Sequence, residues 1–140
     1  MLRISQTLVN QIVAHAVTDH PDEACGVIAG PTGSDEPQRF IPMLNAARSP
    51  TFYEFDSMDL LRLYRQMDAA GEEAIVIYHS HTATEARPSQ TDIAYASEPN
   101  AHYVLVSTRP DQSEAPPLEF RSFRIVDGEV DEEQIEIIAP

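Results

Sequence analysis

Ala74-Ile75-Val76-Ile77-Tyr78-His79-Ser80-His81, seven residues from Thr82 to Pro88, and then Ser89-Gln90-Thr91-Asp92 form the stretch that decides how this chain is read. The run into His79 is continuously apolar until its end, the pattern of a central strand covered on both faces. Side chains alternate along a strand, so His79 and His81 share one face while Ser80 points to the other. Residues two apart on a strand lie about 6.5–7 Å apart at Cα, and two imidazoles at that spacing can converge on one ion. Pro88-Ser89-x-x-Asp92 has an ordinary local explanation as a helix start, with Ser89 as N-cap and Asp92 in the first turn. A capped first turn is also a rigid platform for aiming a carboxylate. His79, His81 and Asp92 are therefore candidate ligands of Zn2+. They leave one tetrahedral position open, as catalytic rather than structural zinc sites do.

Working outward, Ser5 to Asp19 reads as a helix with Leu8, Ile12, Val13, Ala16 and Val17 on one face and Ser5 as its cap. His15 and His20 have no ligand partner at a telling spacing and are expected on a solvated face. Glu23 to Gly30 is a short buried strand, and Gln38 to Leu44 a second that Pro42 confines to an edge. Thr51 to Phe55 alternates and is expected as a strand. A helix capped by Asp56 or Ser57 runs to about Ala70 with a Leu and Met stripe, and Gly71 suits its exit. Ala101 to Ser107 is another buried strand, and Arg109 to Pro117 a loop. Asp127-Gly128 is a hairpin signal joining strands at Leu118–Val126 and Glu129–Ile138. Interleaved helices and strands predict an α/β fold, a mixed sheet flanked by helices, in one domain over residues 1–140.

Composition excludes several classes. The chain has 140 residues and a formal net charge of −14, which argues against a nucleic-acid partner, since phosphate binding needs clustered cations. The acidity, concentrated in part from Asp127 to Glu136, reads as a solubility device. No apolar run approaches the roughly 20 residues of a membrane span. Met1-Leu2-Arg3-Ile4-Ser5 lacks the apolar stretch of a signal peptide, and the single cysteine, Cys25, cannot form an internal disulfide; a cytoplasmic setting is expected. Cys25 reads as a small buried hydrophobe. Arg48 and Arg87 could bind a product carboxylate, although arginine on a polar loop is ordinarily just solvated.

A three-ligand zinc site becomes hydrolytic when a carboxylate that is not a ligand handles the proton. Glu23 is the candidate, with Glu54, Glu72, Glu73 and Glu85 as competitors by spacing alone. Glu23 followed by His79-Ser80-His81, seven residues, Ser89, two residues and Asp92 resembles the signature of the JAMM (MPN+) zinc metalloproteases, with every signature position filled. Glu23-Ala24-Cys25-Gly26 is similar to that family's acidic-x-Cys-Gly neighbourhood. The resemblance implies that His79, His81 and Asp92 bind zinc. It also implies that Glu23 is the general base and acid, and that Ser89 hydrogen-bonds the water or the oxyanion. The implied fold is that of the JAMM/MPN domain, similar to cytidine deaminases. Deaminase chemistry itself is disfavoured, because a P-C-x-x-C is absent.

Many family members carry Pro after the second histidine; here it is Thr82. With the Asn45–Asp56 segment, this resembles the bacterial Mec-like branch. Its members hydrolyse the bond between the C-terminal Gly-Gly of a ubiquitin-like sulfur-carrier protein and an attached cysteine, releasing cysteine for biosynthesis. The alternatives are a deubiquitinase-like isopeptidase or small-peptide hydrolase of the same chemistry, and a non-catalytic interaction module of the same fold.

Overall fold

The computed structural model describes residues 1–110 and 118–140. Six strands form one mixed sheet in the order β3-β2-β4-β5-β6-β7. They are β2 (Cys25–Pro31), β3 (Arg39–Met43), β4 (Glu72–His81), β5 (His102–Ser107), β6 (Glu119–Val126) and β7 (Glu129–Glu133). The pair β4–β5 is parallel and all other neighbours in this sheet are antiparallel. The long apolar strand β4 is central, and Pro42 lies on the edge strand β3, where a missing N–H costs no ladder bond. Asp127 and Gly128 both have positive φ and close the β6–β7 hairpin.

Helices cover both faces. The helix α1 (Gln6–Asp19) begins at Ser5, whose Oγ accepts the Leu8 N–H. It packs Leu8, Val9 and Ile12 over Ile28, Val76, Tyr78 and Val104. On the other face, α2 (Ser57–Ala70) packs Leu63 and Met67 with Val27, Ile77, Leu105 and Phe123. Asp56 caps α2, and Gly71, left-handed at φ +68°, ends it. Tyr78 lies so close over Gly26 that a Cβ there would run into its ring.

Four expectations need correction. Leu2–Ser5 is a strand, β1, paired in parallel with β8 (Ile135–Ile138) in a separate two-stranded sheet; the expected strand over Glu129–Ile138 is thus broken at Gln134. Thr51–Phe55 is not a strand. Its backbone is held by the buried Asn45 side chain, which donates to the Phe52 carbonyl and accepts from Glu54 N–H, leaving one bridge between Asn45 and Phe55. His15 is not solvated: it bonds the Tyr78 hydroxyl at 2.6 Å and Asp19 at 3.0 Å. The acidic tail is partly structural, because the Glu133 side chain is buried against His102. Most of the expected Arg109–Pro117 loop lies outside the described residues.

Candidate metal centre

The register of β2 against β4 assembles the site. Cys25 lies beside His79. One step further, Ser80 N–H donates to the Ala24 carbonyl and Ala24 N–H to Ser80 Oγ. This clamp uses the buried Ser80, on the face of β4 opposite the two histidines, and brings Glu23 beside His81. The short helix α3 (Gln90–Tyr95) presents the third candidate ligand, Asp92, through a full capping box. Ser89 Oγ accepts from Asp92 N–H at 3.1 Å, while Ser89 N–H donates to Asp92 Oδ2 at 2.8 Å. The local helix-start reading and the ligand reading are therefore compatible, because the cap fixes the carboxylate that faces the histidines.

His79 Nε2, His81 Nε2 and Asp92 Oδ2 form a small triangle. The separations are 3.2 Å between the imidazoles, 3.1 Å from His79 to Asp92 and 3.0 Å from His81 to Asp92. Donors about 2.0–2.1 Å from one tetrahedral ion are separated by roughly 3.3 Å, so this set fits a zinc ion. Among the described residues it is the group of three or more His, Cys, Asp and Glu side chains that could hold a metal.

His79 and Asp92 are tuned for that role, while burial would lower His81 but hydrogen bonds with Asp92 and the Glu85 carbonyl raise it. Burial pushes His79 below its usual value, outweighing Asp92, and favours the neutral imidazole that metals require. Burial would raise Asp92, but hydrogen bonds to His79 and His81 and the Ser89 N–H hold it well below the carboxylate range. His81 Nδ1 lies 2.9 Å from the Glu85 carbonyl, which fixes its tautomer and aims Nε2 at the site. His79 Nδ1 is buried with no such partner among the described residues. Its ring is instead stacked on Tyr53, with centroids 4.5 Å apart. Sequence reading missed Tyr53 because it placed that residue in a strand.

Glu23 is 5% exposed. Burial, reinforced by the Asp92 charge and opposed by His81, raises its carboxyl to about 8. Of its competitors, Glu72 and Glu73 lie elsewhere, whereas Glu54 lines the cleft beside Asp92. Glu72 is paired with Arg39, and Glu73 bonds Gly33 N–H at the far end of β4. Glu54 and Glu85 are exposed. Cys25 is fully buried and free, and burial raises its thiol to about 12. Thr82, where the chain departs from the common family pattern, donates its hydroxyl to the Pro50 carbonyl. A cleft of about 300 Å³ opens beside Asp92, lined by Phe52, Tyr53, Phe55, Tyr64 and Tyr95 among others.

Comparison with known proteins shows the family and the fold. The chain is 59% identical over 138 residues to the CysO-cysteine peptidase of Mycobacterium tuberculosis, covering 99% of this chain and 92% of that one. It is 33% identical over 103 residues to the desampylase of Haloferax volcanii, covering 70% and 74% of the two chains. A solution structure of a Desulfitobacterium hafniense protein matches with a TM-score of 0.82 at 30% identity, over 100% of this chain and 94% of that one. A JAB1/MPN domain protein from Archaeoglobus fulgidus shares the fold, with a TM-score of 0.61 at 21% identity over 98% and 97%. Residues 5–126 match the family of prokaryotic homologs of the JAB domain, and to that family the chain belongs.

Proposed function

We propose that the protein is a zinc peptidase that removes a C-terminal cysteine from a ubiquitin-like sulfur-carrier protein. The observation that carries the chemistry is the triangle of His79, His81 and Asp92 beside a buried carboxyl that is not part of it. The substrate class rests on the near full-length likeness to a protein named CysO-cysteine peptidase. A zinc ion held by the three ligands would supply the Lewis acidity that activates water and polarises the scissile carbonyl.

Hydrolysis joins a water oxygen to the glycine carbonyl carbon, breaks the C–N bond and places a proton on the departing amine. Glu23 is the group that takes the water proton and returns it to that amine. Burial makes its carboxyl a good proton acceptor, and a zinc ion held by the three ligands would favour its ionised form. Ser89, whose Oγ already caps α3, offers its hydroxyl towards the developing oxyanion. An extended Gly-Gly tail fits the cleft beside Asp92, read mainly through backbone hydrogen bonds. A free buried Cys25 and the absence among the described residues of any helix long and apolar enough to cross a membrane suit a reducing cytoplasm.

The likeness to a desampylase favours a second reading, cleavage of an isopeptide bond to a ubiquitin-like protein. Intact-mass measurement separates the two. Incubation with a carrier bearing one added C-terminal cysteine is expected to remove one cysteine residue's mass. An unchanged mass, with cleavage of a lysine-linked carrier, would sink the sulfur-carrier assignment.

A further inference from the structure

A single amino acid leaving a chain end carries a free α-carboxylate next to the scissile bond, and an isopeptide-linked lysine side chain does not. Recognition of that carboxylate calls for a cation with paired donors, the property of a guanidinium. The chain carries nine cationic side chains, all arginine, against 23 acidic ones. Most are engaged. Arg3, Arg39, Arg62, Arg87, Arg109 and Arg121 face carboxylates, and Arg124 lies against the His102 ring. Among the described residues, Arg48 and Arg65 have no acidic partner. Arg65 sits on the exposed side of α2, whereas Arg48 is exposed in the loop whose next two residues bond Glu23 and Thr82.

Two ties fix the Arg48 loop. The Ser49 carbonyl accepts the Glu23 N–H at 2.9 Å, and the Pro50 carbonyl accepts the Thr82 hydroxyl at 2.8 Å. Arg48 is thus one residue from a bond to Glu23 and two from a bond to the residue following His81. The loop is rigid. The buried Asn45 side chain donates to the Glu23 and Phe52 carbonyls and accepts from the Ala47 and Glu54 N–H groups. Within it Arg48 adopts a left-handed backbone at φ +46°, a conformation that costs a side-chain-bearing residue about 1 kcal/mol or more. A glycine or asparagine would sit there with less strain, yet the position holds an exposed, unpaired arginine. Arg87, on the opposite loop, is drawn towards Glu85 and Glu132.

We propose that Arg48 binds the α-carboxylate of the departing residue and so restricts the enzyme to substrates ending in one free amino acid. This rests on the carrier–cysteine reading and identifies what selects for it. Thr82 gains a purpose as well: its bond to the Pro50 carbonyl holds the Arg48 loop against the histidine strand.

The test compares two carriers, one ending in cysteine as the free acid and one ending in cysteine amide, for the wild type, Arg48→Gly and Arg48→Lys. Glycine relieves the left-handed backbone, so a loss in Arg48→Gly does not come from distortion of the loop. The wild type is expected to favour the acid over the amide about 10- to 100-fold in kcat/KM, the range of a charge-assisted hydrogen-bonded pair. Arg48→Gly brings the acid down to the amide rate, leaves the amide rate and the zinc content unchanged, and Arg48→Lys restores part of the preference. Equal wild-type rates on acid and amide, or equal losses on both in Arg48→Gly, overturn the role of Arg48 while the carrier–cysteine reading stands. A wild type that cleaves neither carrier removes that reading, and the proposal with it.

Discussion

Two ends of one sheet place buried histidines among carboxylates, and they arrange them oppositely. At the end of β4, His79 Nε2, His81 Nε2 and Asp92 Oδ2 face one another within 3.2 Å. At the start of β5, level with Val76 in the register, His102 is also buried. There Glu133 lies 2.6 Å from Nδ1 and Asp35 2.7 Å from Nε2, on opposite edges of one ring. A protonated imidazole satisfies both carboxylates, and nothing is left to converge on an ion. Proximity of His and Asp or Glu is thus not what makes a metal centre. Convergence of lone pairs from separate rigid elements is.

The electrostatic contrast lies between His79 and His102. At the metal end burial lowers His79, while hydrogen bonds with Asp92 and the Glu85 carbonyl raise His81 against its own burial. At the far end burial alone would lower His102, but hydrogen bonds to Glu133 and Asp35 reverse this and hold it above its ordinary 6.5. Glu133, which burial would raise, is brought to about 2 by hydrogen bonds with His102, Ser122 and the terminal amine. One end is poised to accept a cation and the other has made its own.

The largest effect that bears on this contrast is catalytic. Glu23→Gln is expected to lower kcat about a hundred- to ten-thousandfold while zinc remains bound, because Glu23 lies outside the ligand triangle. Full activity in that variant, measured with zinc content by metal analysis, would remove Glu23 from its role.

Next in size is the closed end. His102→Gln is expected to cost about 1.5–3 kcal/mol of folding stability near pH 5.5, the range for hydrogen bonds to charged groups. The folded value of His102 is raised, so its contribution is complete below the ordinary 6.5 and is lost as pH rises through the folded value. Glu133 is lowered, so its contribution is present above 4.5 and is lost as pH falls towards about 2. Asp35 and Glu133 favour the charged ring, while Arg124, 3.2 Å from Nε2, opposes it. Denaturant unfolding should therefore show a gap between wild type and variant that narrows from pH 5.5 to pH 9. An equal gap at both would refute an ionised pair.

The smallest effect concerns the stacked ring. Tyr53→Ala is expected to weaken zinc about 10- to 100-fold, the usual cost of losing support behind a ligand. Tyr53→Phe, which keeps the ring, should bind zinc as the wild type does. Chelator competition measures both, and a matching loss in the two variants would move the effect from the ring to the hydroxyl.

How much of this the sequence carries depends on whether the signal is local. The apolar run into His79, the Ser89 cap, the Asp56 and Gly71 helix ends and the Asp127-Gly128 turn are all written in adjacent residues, and all stand in the structure. What was hidden depends on partners distant in the chain. The strand β1 is four residues long and exists because β8 lies beside it. The aromatic alternation of Thr51–Phe55 looks like a strand, yet the Asn45 side chain takes its backbone and frees Tyr53 to stack on His79. His15 sits on α1 with nothing nearby to signal Tyr78, 63 residues later. Glu133 is embedded in an acidic tail, and only the β6–β7 pairing buries it. Glu23 was named by resemblance to a signature; the register of β2 on β4 shows what brings it near His81.

Zinc stoichiometry across both ends tests the central claim most directly. Titration of metal-free protein against a competing chelator should give about one zinc per chain for the wild type, the same for His102→Gln, and none for Asp92→Ala. A second zinc lost with His102, or undiminished binding in Asp92→Ala, would contradict the assignment of the metal to the converging end.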